Sequence, residues 1–219
     1  MNGVAAQDGS RPNRRQIQAA QTRRDIILAA SKLFTQHGYA HTSVADIARE
    51  AGVAVQTIYA SVGTKPQLIT AMLDEVDAIA EIPQLAAQMQ RSDDAHEVIS
   101  LVVRLTRQLN ERCHDIIAGL RSGAHVDADL AAAYAAGSAR HRDGSTACAR
   151  RLARLNALRP GLDTATAATT IAVLLSTDSY TQLHTEHGWP YDRCEHWLRD
   201  TLNQLLLPAT TPAAPLNGS

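Results

Sequence analysis

TSVADIAREAGVAVQTIYASVGTKPQL, residues 42–68, reads as two short helices joined at Gly52, with a third helix starting after Thr64. That arrangement is a helix-turn-helix. Ser43 followed by Asp46 forms a capping-box pair: the serine oxygen accepts from an orphan backbone N–H, and the carboxylate sits at the positive end of the helix. Val44, Ile47, Ala48 and Ala51 then recur at helical spacing. Gly52 supplies the positive φ that a sharp stop needs. Beyond it, Val53 and Ile58 pack under the turn, while Val55, Gln56, Thr57, Tyr59, Ala60 and Ser61 form a surface with no charge. In the third helix Thr64 caps, Gln67 reaches back, and Pro66 occupies the first turn, where its missing N–H costs little. Lys65 is left beside a helix N-terminus, where a cation is unfavourable unless an anion lies nearby.

An uncharged helical face of this kind suits a nucleic-acid groove. Gln and Thr hydrogen-bond base edges or phosphates, small apolar groups touch thymine methyls, and Tyr reaches a phosphate oxygen. The candidate DNA contacts are Thr42, Ser43, Val55, Gln56, Thr57, Tyr59, Ala60, Ser61 and Lys65. From Thr22 to Leu73 the pieces TRRDIILAASKLF, HGYAHTSVADIA, AGVAVQTIYASV and TKPQL together resemble the N-terminal domain of the tetracycline-repressor-like (TetR) transcriptional regulators. Where members of that family commonly carry an aromatic pair, this chain has Ser61 and Val62. The resemblance implies an all-helical protein with a helix-turn-helix head, a larger domain holding a small-molecule pocket, and a homodimer formed through the last two helices.

The 219 residues are enough for one or two domains with a sizeable core. Aromatic residues are scarce and alanine is abundant, which favours closely packed helices. The formal net charge of −1 conceals a division. Residues 1–66 hold eight Lys and Arg against four Asp and Glu, whereas residues 67–219 hold thirteen against eighteen. The basic end is the end with the motif. The three cysteines, Cys113, Cys148 and Cys194, give no disulfide framework and suit a reducing compartment. No apolar run approaches the ~18 residues of a membrane span, and no secretory signal is evident. A cytoplasmic protein without membrane contact is expected.

Residues 1–21 read as a disordered polar arm carrying Arg11, Arg14 and Arg15, residues 22–82 as the helix-turn-helix domain, residues 83–207 as a helical ligand-binding and dimerisation domain, and residues 208–219 as a disordered tail with three prolines. The basic arm is a candidate for further phosphate or minor-groove contacts. The first helix is expected to be capped at Thr22, to bury Ile26, Ala29, Ala30, Leu33 and Phe34, and to end at Gly38. After the motif a helix continues to about Glu81, with Pro83 marking its end. The chain then repeats amphipathic helices, over residues 98–109, 116–120, 130–158 and 165–187, and ends in one lined by Trp197, Leu198, Thr201, Leu202, Leu205 and Leu206. That makes about nine helices in all and no strand pattern.

The last two helices are apolar over much of their circumference, so a second copy is expected to cover them as a four-helix bundle, with Leu174, Trp197, Leu198, Leu202 and Leu205 at the interface. Dimerisation also suits the head, because two recognition helices about 34–36 Å apart read successive major grooves of a near-palindrome. For the ligand the candidates are Asp178, placed on an apolar helical face where a buried carboxylate needs a partner, and Tyr134, Tyr180 and His184. Cys113–His114, Cys194 with His196, and His184 with His187 lack the paired spacing of a structural metal site, so no metal or other cofactor is expected. No nucleophile lies in a recognisable turn, and the adjacent carboxylates Asp74–Glu75 and Asp93–Asp94 diverge on a helix, which argues against an enzyme. The expected function is a sequence-specific regulator, most simply a homodimeric repressor released from double-stranded DNA by a small-molecule ligand. The alternatives are a helical metal-responsive regulator and a protein-binding helical adaptor.

Overall fold

The computed structural model describes residues 13–125 and 127–209. Among them are eleven α-helices and one π-helical turn, with no strand. None of these helices is long and apolar enough to cross a membrane.

The head is α1 (Arg14–His37), α2 (Val44–Glu50), α3 (Val55–Ser61) and the first half of α4 (Lys65–Ile79). Ile26, Ile27, Phe34, Ile47, Ile58, Leu68 and Met72 close its core. Helix α1 starts eight residues before the expected cap at Thr22. Asn13 accepts from the Gln16 backbone N–H at 2.9 Å, and the Gln16 side chain accepts in return from the Asn13 N–H at 2.7 Å. This capping box makes residues 14–21 helix, not irregular arm; residues 1–12 lie outside the described residues. Gly38 ends α1 with φ +80°, as its position suggests.

The body comprises α5 (Ile82–Arg91), α6 (Ala95–Arg112), α7 (His114–Gly123), α8 (Ala128–Arg154), α9 (Thr164–Leu174), α10 (Thr177–Thr181), the π turn Gln182–Glu186 and α11 (Tyr191–Leu206). Two of its helices were not anticipated. Pro83 does not merely end α4; it sits in the first turn of α5, which buries Leu85 and Met89. The stretch 165–187 is not one helix. Its break comes at Ser176, whose side chain accepts from the Ser179 backbone N–H at 3.1 Å and so caps a new helix. Helix α8 runs through Gly137 and Gly144 without interruption.

The cores do not divide at residue 82. Cys113, Ile116 and Leu120 of α6–α7 and Leu130 and Ala133 of α8 join the head cluster. Helix α7 approaches α1 closely enough that a Cβ at Gly119 would lie 3.0 Å from the Ser31 carbonyl oxygen. The second cluster gathers α5, α6, the C-terminal half of α8, α9 and α11 around Val98, Ile99, Leu152, Ile171, Leu198 and Leu202. Arg107 of α6 ties that core to α11, with Nη1 2.7 Å from Glu195 and 2.6 Å from Asp192. Residues 210–219 of the expected tail lie outside the described residues.

Candidate nucleic-acid interface and internal cavity

Local chemistry fixes the two short helices. The Ser43 backbone N–H and hydroxyl both donate to Asp46 Oδ2, at 3.0 and 2.6 Å, and Ser43 Oγ accepts from the Asp46 N–H at 3.1 Å. These hydrogen bonds hold the Asp46 carboxyl below its usual range. Gly52 has φ +67°, and the Val53 N–H closes the turn on the Ala48 carbonyl at 2.9 Å. Helix α3 then presents Val55, Gln56, Tyr59 and Ala60 to solvent, with Thr57 and Ser61 half-buried and Ile58 anchored in the core. Tyr59 is among the exposed large hydrophobic side chains of the chain.

Two of the expected DNA contacts are placed otherwise. Thr42 is only 2% exposed, and its hydroxyl donates to the Gly38 carbonyl at 2.9 Å. It latches the turn between α1 and α2, so its side chain has no outward face. Lys65 folds inward: Nζ donates to the Tyr39 carbonyl at 2.5 Å and stands 3.9 Å from the centre of the Tyr39 ring. Burial pushes its ammonium below the usual lysine range. The anion that a cation at this position calls for is thus replaced by a carbonyl and a ring face of the same chain. Tyr39 in turn packs edge-on against Phe34 at 5.1 Å. Sequence reasoning also missed Arg23, whose Nη1 donates to the Ser61 carbonyl at 2.7 Å and ends α3 from α1. Only a fold brings those two residues together.

Beneath the head is a cavity of about 780 Å³ bounded by α4, α5, α6, α7, α8, α9 and α10. Its walls are chiefly aliphatic, including Leu73, Val76, Leu101, Leu105 and Leu109. Tyr134 lines it, and Asp178 reaches its edge. Asp178 is not the buried carboxylate that a continuous helix implied. The break at Ser176 turns it outward, and it pairs at 2.7 Å with Arg121. Tyr180 and His184 are not among the lining residues. Tyr180 is buried with its hydroxyl unpartnered, and His184 stacks on Tyr191 at 4.0 Å with Nδ1 2.7 Å from the Trp189 carbonyl. Lining residues not anticipated include Asp77, Thr106, Asn110, Arg140 and His141. Asp77 pairs with Arg140 at 2.7 Å; burial raises its carboxyl and Arg140 partly offsets that.

The proposed dimer residues also separate. Leu198 and Leu202 are fully buried within the single chain and cannot face a partner. Val173 is 60% exposed, Trp197 42% and Leu205 38%. Leu174 and Leu205, with Val173, Thr166, Thr169 and Thr170, line a shallow apolar groove between α9 and α11.

The family model for bacterial regulatory proteins of the tetR family matches residues 26–72, from within α1 to within α4. Residues 26–72 are a tetR-family N-terminal domain. The HTH-type transcriptional regulator TtgR of Pseudomonas putida is 32% identical to this chain over 110 residues, 44% of this chain and 51% of the relative. The A-factor receptor protein of Streptomyces griseus is 28% identical over 90 residues, 41% of this chain and 33% of the receptor. The matches thus span about half the length of TtgR and a third of that of the receptor. Among solved structures, the chain superposes on NalD, the secondary repressor of the MexAB-OprM multidrug efflux pump in Pseudomonas aeruginosa. The TM-score is 0.68 at 24% identity, covering 87% of this chain and 98% of NalD. The SmeT–triclosan complex gives a TM-score of 0.66 at 18% identity, covering 88% and 96%. At these identities the likeness establishes the shared tetR-type fold.

Proposed function

We propose that this chain is a homodimeric transcriptional repressor that reads a near-palindromic operator through α3 and is released by a small molecule held in the cavity. The observation that carries the reading is the uncharged, exposed face of α3, Val55, Gln56, Tyr59 and Ala60, held rigidly by the Ser43 cap, the Gly52 turn and Arg23. Short polar and small apolar side chains on a fixed helix suit base edges in a major groove.

A single short helix touches too few base pairs for useful specificity, so the reading requires two heads. Exposed Val173, Trp197 and Leu205, with half-buried Leu174, supply an apolar face for the second copy, and two helices from each subunit make a four-helix bundle. Release follows from the place of α4. Leu68, Ile69 and Met72 belong to the head core, while Leu73, Val76 and Asp77 of the same helix line the cavity. A ligand that fits better when α4 is displaced shifts the population of head spacings away from the one that fits DNA. TtgR is named a transcriptional regulator and NalD a repressor, which supports the same role here.

The test is selection of sites from a random duplex DNA pool by the full chain. The proposal expects enrichment of an inverted repeat whose half-sites are about 34–36 Å apart. A pool that stays unenriched would overturn it.

A further inference from the structure

Four polar side chains in the cavity wall share one property: the one polar proton of each is already committed. The Thr106 hydroxyl donates to the Val102 carbonyl at 3.0 Å, Ser138 to the Tyr134 carbonyl at 3.0 Å, and Ser145 to the His141 carbonyl at 2.9 Å. Asn110 differs: Nδ2 donates one proton to the Thr106 carbonyl at 2.9 Å and keeps a second, so its amide is both donor and acceptor. His141 Nε2 lies 2.9 Å from the Ala172 carbonyl. A carbonyl can only accept, so Nε2 carries the proton, and in the neutral ring Nδ1 is left with a lone pair. The reason for that contact is local. Ala172 is in the last turn of α9, where the break before Ser176 leaves a carbonyl without a helical partner, and His141 satisfies it from α8.

These four side chains therefore offer the cavity lone pairs in place of free protons. The carboxylate of Asp77 adds acceptors, and the cation beside it, Arg140, is engaged by that same carboxylate. Apart from the second Asn110 amide proton, the wall's remaining donors lie no deeper than these groups. Thr106 and Ser145 are buried; Ser138, His141 and Asp77 are half-buried, as are the Tyr134 and Thr177 hydroxyls and the Gln90 amide, and Arg142 is exposed. At the buried Thr106 and Ser145 the wall accepts.

We infer that the effector of this cavity is an elongated apolar molecule bearing a hydrogen-bond donor, an alcohol or ammonium group, and that ethers, ketones and carboxylates of the same size are rejected. This inference rests on the effector role proposed for the cavity. Rejection has a physical basis in the desolvation of wall acceptors: a ligand without a donor buries them unpaired, and an acceptor oxygen placed against them meets lone pair with lone pair.

The test is calorimetric titration of the DNA-free full chain with n-octanol, methyl heptyl ether and methyl hexyl ketone, which have matched numbers of heavy atoms, and with n-octylammonium and octanoate. One unpaired buried acceptor corresponds to about tenfold or more in affinity, so n-octanol and n-octylammonium are expected to bind at least that much more tightly than the ether, ketone or octanoate. Thr106→Val, which is nearly isosteric, and Ser145→Ala, each lacking the acceptor, are expected to narrow the alcohol-to-ether ratio. Because the ratio is read within each variant, a general loss of affinity does not mimic it, and either variant suffices if the other fails to fold. Equal affinities for alcohol and ether, tighter binding of octanoate, or no binding of the two donor probes would overturn the inference. Gly137→Leu, which grows a side chain into the cavity beside Leu73, is expected to abolish binding and so to place it there. Failure of the underlying reading has a separate signature: donor-bearing probes bind with the expected preference, yet leave affinity for the selected operator unchanged.

Discussion

Leu202 and Leu205 lie one helical turn apart on α11, and their substitutions are expected to fail in opposite ways. Leu202 is fully buried in the core formed with α6, α8 and α9, so Leu202→Ala leaves a cavity and is expected to cost about 3–5 kcal/mol. For a chain of this size that corresponds to a fall in melting temperature of roughly 6–20 °C. Leu205 is 38% exposed in the groove between α9 and α11, so Leu205→Glu removes little core packing and places a charge on the face assigned to the second copy. Sedimentation and thermal melting over a hundredfold range of protein concentration separate the two effects. A dimer that contributes to stability makes the melting temperature rise with concentration. Leu202→Ala is expected to keep that dependence at a lower temperature, and Leu205→Glu to lose it and sediment as a folded monomer. If Leu205→Glu remains a dimer while folded Leu202→Ala dissociates, the assignment of faces is refuted.

Gly144 lies within α8, and a Cβ there meets nothing within 4 Å, so Gly144→Ala should stabilise the chain by roughly 0.5–1 kcal/mol, measurable in urea melts; a loss of stability would contradict the continuous helix. Lys65→Met keeps the alkyl stem but removes the hydrogen bond to the Tyr39 carbonyl, so the melting temperature should fall while the salt slope of DNA binding is unchanged; a slope smaller by about one would show that Lys65 meets a phosphate instead. The Asp46 carboxyl is held below its unfolded value of 3.8 by the Ser43 hydrogen bonds, so its stabilisation is present above that pH and is lost as pH falls through the lower, folded value. The stability difference between wild type and Asp46→Asn should therefore shrink below pH 3.8 and stay constant from neutrality down to about pH 5. A difference that grows with acidification would contradict the cap.

The head was legible because its signals are local. Ser43 with Asp46, Gly52, and Thr64 with Gln67 each fix geometry within three or four residues, and each has the expected conformation or contact. What escaped the sequence depends on partners remote in the chain. Apolar periodicity in α11 marks Leu198, Leu202 and Leu205 alike, but only the packed neighbours decide which of them the monomer itself consumes. Thr42, next to a helix cap, reads as a surface hydroxyl until the Gly38 carbonyl is seen to take its proton. Arg23 with Ser61, and His141 with Ala172, join helices more than 30 residues apart, and no spacing rule announces them. The break at Ser176 did have a signal, a Ser-Thr-Asp-Ser run inside an apolar stretch, where a short hydroxyl competes for the backbone.

The central claim is that α3 reads bases, and its most direct measurement is the affinity of Gln56→Ala for the selected operator and for random duplex, each titrated against salt. Gln56 is exposed on α3, and a side chain bonded to a base edge contributes about 1–3 kcal/mol of discrimination. The account predicts roughly a tenfold or greater loss on the operator, no change on random DNA, and unchanged salt slopes on both. An equal loss on the two DNAs would contradict base reading by α3.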